Sequence, residues 1–143
     1  MVMTNPSPFS VLNVVTCDDP AIDLEQTNIE EYAKDRDLSK VKFLTGKQPS
    51  IFKVEKISAS VMIRLVNLFP AGDSANAVLF LASCKEFTNS SGEKVEAEGI
   101  VNGMAPDSWL DQVQEEVGYE GLIELMSVAA RFQKLSKRDR SFL

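Results

Sequence analysis

Few side chains in this sequence have the chemistry to act on a ligand, and their spacing limits what they can do. Cys17 and Cys84 are far apart, neither belongs to a paired cysteine spacing, and histidine is absent. Those facts remove Ser-His and Cys-His nucleophile pairs, every histidine-containing zinc site and the commonest general base near neutral pH. Two isolated thiols cannot complete a cysteine-rich zinc site, and reduced cysteines in a cytosolic protein are the expectation. Cys84 closes an apolar run, ANAVLFLASCK, which makes it a small core residue rather than a nucleophile. No glycine-rich phosphate loop of either usual spacing occurs.

Carboxylates are the remaining candidates. Residues 18–37 hold eight acidic side chains against Lys34 and Arg36. Asp19, Asp23 and Glu30 fall at the first, fifth and twelfth places of an EF-hand-like loop, yet Leu24 stands where glycine must make the sharp turn and Ala21 replaces the third-position ligand. No metal is therefore expected. The better reading is a solvated helix over residues 27–36 with Ile29, Tyr32 and Ala33 facing inward. Glu30-Glu31 and Glu115-Glu116 lie on what should be wet helix faces, so catalysis and cofactor binding are not expected.

The opposite charge gathers near the end of the sequence. Arg131, Lys134, Lys137, Arg138 and Arg140 face only Asp139 there. Basic residues at a helix carboxyl end are favoured by the macrodipole, each by about 0.3 to 1 kcal/mol, and this accounts for much of the cluster without a partner. The same asymmetry in an acidic chain can also serve as a handle for an acidic partner, or for the acidic stretch of a second copy, so a homo-oligomer is one expectation.

These charges ride on residues 107–135, which the spacing predicts to be two amphipathic helices joined at Gly118. Trp109, Leu110, Val113 and Val117 line one side of the first, with Asp111, Gln112, Gln114, Glu115 and Glu116 on the other. Pro106 precedes it, and Ser108 with Asp111 makes a weak capping box. Gly118 can take the left-handed conformation that ends a helix. In the second helix Leu122, Leu125, Met126, Ala129 and Phe132 form a stripe widened by Ile123, Ala130 and Leu135.

The rest of the chain must hold this pair. Its 143 residues are enough for one domain with a real core. Net charge of -6 argues against nucleic acid and anionic membrane as partners. No secretory leader is evident, and no apolar run approaches the roughly 20 residues of a membrane span, so a soluble cytoplasmic protein is expected. Residues 1–10 read as a flexible arm and 9–17 as a strand. Alternation over 41–57 predicts a β-hairpin with one dry face, covered by a helix over 59–69 that Ser58 caps and Pro70 stops. Residues 75–85 are apolar nearly all round and predict a central buried helix. A small second hairpin is expected between Phe87 and Val95, then a connecting loop through 99–105. The fold class is α+β: a mostly helical single domain over residues 11–137, with a small antiparallel sheet or hairpin in the N-terminal half and a C-terminal tail over 138–143.

The order of these features resembles a known family. PSIFKVEKIS (residues 49–58), two apolar helices with the second running into FTNSSGEKV (87–95), then WLDQV and GLIELMSVAARFQKLS within residues 109–136 are similar to the tail assembly chaperones of long-tailed bacteriophages. The likeness lies in element types over about residues 49–136. It implies a non-catalytic chaperone of the host cytoplasm, without cofactor, that binds the tape measure protein and engages tail tube subunits through apolar helical surfaces. The candidate contacts are Tyr119, Leu122, Met126, Arg131, Lys134, Lys137, Arg138 and Arg140. The other function class is a structural virion component, a tail or connector subunit.

Overall fold

The computed structural model of the chain describes residues 11–68 and 73–134. Its elements run β1 (Val11–Val14), α1 (Ile29–Asp35), a single 3-10 turn (Leu38–Lys40), β2 (Ile51–Glu55), α2 (Ala59–Leu68), α3 (Asp73–Ser83), β3 (Glu86–Thr88), β4 (Lys94–Glu96) and α4 (Ser108–Lys134). The four strands form one antiparallel sheet in the order β1-β2-β3-β4. This is an α+β fold in which helices outweigh strands, as the sequence predicts. The expected arm at 1–10, and Leu135, Lys137, Arg138, Arg140 and the tail, lie outside the described residues.

Alternation gives the sheet one apolar face. Val14, Phe52, Phe87 and Val95 are directly paired in sequence across all four strands, so one row of side chains crosses the whole sheet. The Phe52 and Phe87 rings lie 4.7 Å apart, and Phe87 meets Trp109 of α4 at 5.6 Å. Trp109 is buried and donates from Nε1 to the Cys84 carbonyl at 2.9 Å, which satisfies the indole while its ring fills the core. Leu122, Leu125, Ala129 and Phe132 of α4, with Phe80 and Leu81 of α3, complete this core. The other face carries charge. Lys53 pairs with Glu55 and Glu86, and Lys94 with Glu86 and Glu96, a solvated network along three strands.

Three expectations need correction. Residues 41–57 do not form a hairpin: β2 pairs with β1 and β3, Val41 is buried in a second cluster, and Phe43 makes a single bridge to Ile22. Alternation specifies which face a strand buries and leaves its partner open. β1 and β3 set Leu12 opposite Val54, and Val14 and Phe87 on either side of Phe52, so the core face of β2 is continued on both edges. The core on that face is completed by side chains of α3 and α4 and contains none from α2, whose Ile63 is 63% exposed and whose Leu65 is buried elsewhere. Ser58 does cap α2, its Oγ accepting from the Val61 N–H at 3.4 Å. Helix α3 is buried at its carboxyl end, Phe80 to Ser83, and half-buried over residues 75–79.

The second, smaller cluster joins Val15, Ile22, Tyr32 and Val41, with Ile51 packed against it from the strand face opposite Phe52. Tyr32 is the hinge of this cluster. Its hydroxyl accepts from the Val15 N–H at 3.0 Å and donates to the Val15 carbonyl at 2.9 Å, pairing the backbone just past β1 as another strand would.

Candidate protein-contact surface

The break expected at Gly118 is present, with φ 80° and ψ 172°. That is an extended conformation open essentially to glycine alone, not the left-handed cap predicted from the sequence. It turns the chain between two helical segments of α4. Just beyond it, a Cβ at Gly121 would lie 2.7 Å from Val117 Cβ and 3.6 Å from Thr16 Cγ2, so the bare backbone there lets the second segment fold closely over the first and over the end of β1. The far end is clamped to β2: Gln133 Nε2 donates to the Glu55 carbonyl and Gln133 Oε1 accepts from the Ile57 N–H, both at 2.8 Å. Lys56 adds a cation over the Phe132 ring, 4.5 Å from its centre.

With both ends fixed, the second segment buries one side and presents the other. Leu122 is 6% exposed and belongs to the core, so it forms no open contact surface, and Met126 is half-buried against that core. The buried stripe is spent on the core that α4 shares with α3 and the sheet. Ile123, expected to widen the buried stripe, is instead 42% exposed, because the sheet covers only one side of the helix. Tyr119 is 65% exposed, and Arg131 and Lys134 are exposed. Tyr119, Ile123, Ser127 and Arg131 recur every four residues, which places them in one row along the helix. The row begins apolar and ends basic.

Beside its basic end lies a notch of about 170 Å³ whose walls include Lys34, Arg36, Glu124, Ser127 and Arg131. Arg36 follows α1 in a left-handed conformation, φ 54°, that turns the chain and closes the helix with its own N–H on the Tyr32 carbonyl. Its side chain is 10% exposed and Glu124's 21%, and Nη1 meets Glu124 Oε2 at 2.6 Å. Glu124 also accepts from the Cys17 N–H at 2.9 and 3.2 Å, and the guanidinium lies 5.2 Å above the Tyr32 ring. Arg36 Nε is buried without a partner among the described residues. Burial opposes the charge of Arg36, but the bond and charge of Glu124 outweigh it and hold the guanidinium protonated. Burial pushes the Cys17 thiol up to about 11 and the Cys84 thiol to about 12. Neither is an activated thiolate near neutral pH.

The acidic stretch is largely spent on its own backbone. Asp19 accepts from the Ala21 and Ser50 N–H groups, Asp23 from Glu25, Asp37 from Ser39, and Asn28 caps α1 on Glu31. Lys40 joins Glu31 and Asp35. Asp19, Asp23 and Glu30 do not converge, and among the described residues no group of three His, Cys, Asp or Glu side chains is arranged to hold a metal. No described helix is long and apolar enough to cross a membrane.

Arg36, Glu124, Tyr32 and Gln133 are the organising residues that spacing alone did not single out as a set. Only Tyr32 carried a local signal, its position on the inward face of α1. No family model, no curated protein and no solved structure matches this chain.

Proposed function

We propose that this chain works by binding other proteins and transforms no substrate, and that its contact surface is the exposed row of α4 from Tyr119 to Arg131, with Lys134 beside its end. One observation supports this above all. Tyr119 and Ile123 stand in solvent on a helix whose other side and carboxyl end are fixed to the core and to β2, and the row they begin runs into the basic notch. A rigid helix presenting an aromatic and an aliphatic anchor beside fixed charge loses little order on binding, the condition under which a small surface yields useful affinity.

The specific reading is a tail assembly chaperone acting in the host cytoplasm, with the tape measure protein as client and tail tube subunits as a second partner. It rests on the sequence resemblance, and the exposed row supplies a surface suited to an amphipathic client helix. Co-expression with the tape measure and tube proteins of the same phage genome, followed by capture on a tag carried by this chain, tests it. The expected result is retention of the tape measure protein, loss of that retention in Tyr119→Asp/Ile123→Asp, and absence of the chain from purified particles. A fixed copy number in particles would favour a structural tail or connector subunit instead.

A further inference from the structure

A second exposed apolar feature lies in the small cluster, on the turn that follows Ile22. Leu24 is 65% exposed, and Phe43 and Leu44 are each 37% exposed. They share one protrusion, because the chain at 21–23 runs antiparallel to 42–44: the Asp23 N–H donates to the Lys42 carbonyl, the Leu44 N–H donates to the Ala21 carbonyl, and Ile22 bridges Phe43. The turn is stiff. Asp23 Oδ1 accepts from the Glu25 N–H at 3.1 Å, the Asp23 carbonyl accepts from the Gln26 N–H, and Thr27 Oγ1 accepts from the Lys42 N–H at 2.9 Å. Leu24 is therefore held out between the carboxylates of Asp23 and Glu25, with Lys42 the base on the same protrusion. Glu25 has no side-chain partner among the described residues.

This protrusion is the counterpart of the α4 row. One offers an aliphatic side chain flanked by acids, and the other offers Ile123 and Tyr119 running into Arg131 and a notch whose wall adds Lys34 and the Arg36–Glu124 pair, so that Arg131 and Lys34 are its exposed cations. Spacing also agrees. Ile123 and Arg131 are eight residues apart, about 12 Å along the axis at roughly 1.5 Å per residue. Helical side chains lean toward the amino terminus, so the Arg131 head lies over the turn of Ser127, which shares the notch wall with it. An apolar residue against Ile123 with an acid one residue away thus meets a guanidinium within side-chain reach.

We infer that the α4 row and notch receive the Leu24 turn of a second copy of this chain, Leu24 against Ile123 and Tyr119, and Glu25 toward Arg131 and Lys34. The protein self-associates through this contact, which closes into a dimer if the two copies exchange turns and extends to larger species if they do not. The inference does not depend on the chaperone reading. A client for the same row would compete with self-association, and loss of one leaves the other measurable.

Sedimentation velocity of the full chain between about 5 and 500 μM, in low and high salt, reads the contact directly. The weight-average mass is expected to rise above the 15.8 kDa of one chain as concentration increases, and to fall back as salt is added. Leu24→Asp and Arg131→Glu should each weaken association at least about tenfold, as expected of an anchor and of a charge facing its opposite. Glu25→Lys should weaken it less, and Arg131→Glu combined with Glu25→Lys should restore part of the loss. All of these positions are exposed, so circular dichroism, and the melting temperature at the dilute end where the parent is monomeric, should be unchanged. A single species of one-chain mass at every concentration overturns the inference. So does association that Leu24→Asp and Arg131→Glu leave intact.

Discussion

Replacing Glu124 with leucine isolates the contact that joins α1, the end of β1 and α4. The change removes the 2.6 Å ion pair to Arg36 and the acceptor of the Cys17 N–H, while the guanidinium stays 10% exposed with its Nε already unpaired. Stranding one partner of a fully buried pair costs about 3 to 5 kcal/mol. Glu124 is one-fifth exposed, so water partly re-solvates Arg36 and the lower end, about 3 kcal/mol, is expected. With a urea dependence of about 2 kcal/mol per molar, the unfolding midpoint should fall by about 1.5 M at unchanged slope. The double variant Arg36→Met/Glu124→Leu removes the stranded charge and should recover at least half of the loss, since apolar replacements of a buried pair are often neutral. A Glu124→Leu variant within about 0.5 kcal/mol of the parent would refute the reasoning, because surface pairs behave that way. So would a double variant as unstable as the sum of the two single ones.

Four further outcomes follow from the same geometry. Tyr32→Phe removes a hydroxyl that serves both polar groups of Val15 and should cost about 2 to 4 kcal/mol in denaturant unfolding, near twice the penalty of one stranded group. Gly118→Ala meets no atom within 4 Å, so its expected loss of about 1 to 3 kcal/mol is backbone strain at φ 80° alone, read as a lowered melting temperature with unchanged circular dichroism. Burial raises the Cys17 pKa from 9.0 to about 11, so the neutral thiol's contribution is complete below about pH 9 and is lost as pH rises through 11. The expected loss, about 1 kcal/mol after allowing for partial exposure, should shrink in Cys17→Ser. A thiol-reactive disulfide reagent at pH 8 should label Cys17 slowly and Cys84 only on unfolding, since Cys84 is fully buried.

Sequence pattern located what depends on neighbours along the chain. Proline before Trp109, glycine at 118 and the stripes on either side announce α4, and the polar turn between Phe87 and Val95 announces β3 and β4. Tyr32 on the inward face of α1 is legible for the same reason. Pairings between distant segments leave no such mark. β2 could not be assigned to β1 and β3 from its own alternation, and Arg36 meets Glu124 across 88 positions. The sequence predicts an apolar stripe on α4 widened by Ile123, Ala130 and Leu135; of these Ala130 is buried and Ile123 is exposed, because spacing along a helix says nothing of how much of its surface the rest of the fold covers. That quantity decides which residues can touch a partner, moving Leu122 inward and Ile123 outward.

The outer row of α4 is the surface proposed to bind another protein. Amide hydrogen exchange of the chain mixed with the proposed tape measure client, compared with the chain alone, tests it most directly. Slower exchange concentrated in residues 119–134, with the charged face of the sheet unchanged, is the result expected. Protection confined to the sheet strands, or spread evenly over the chain, would contradict it.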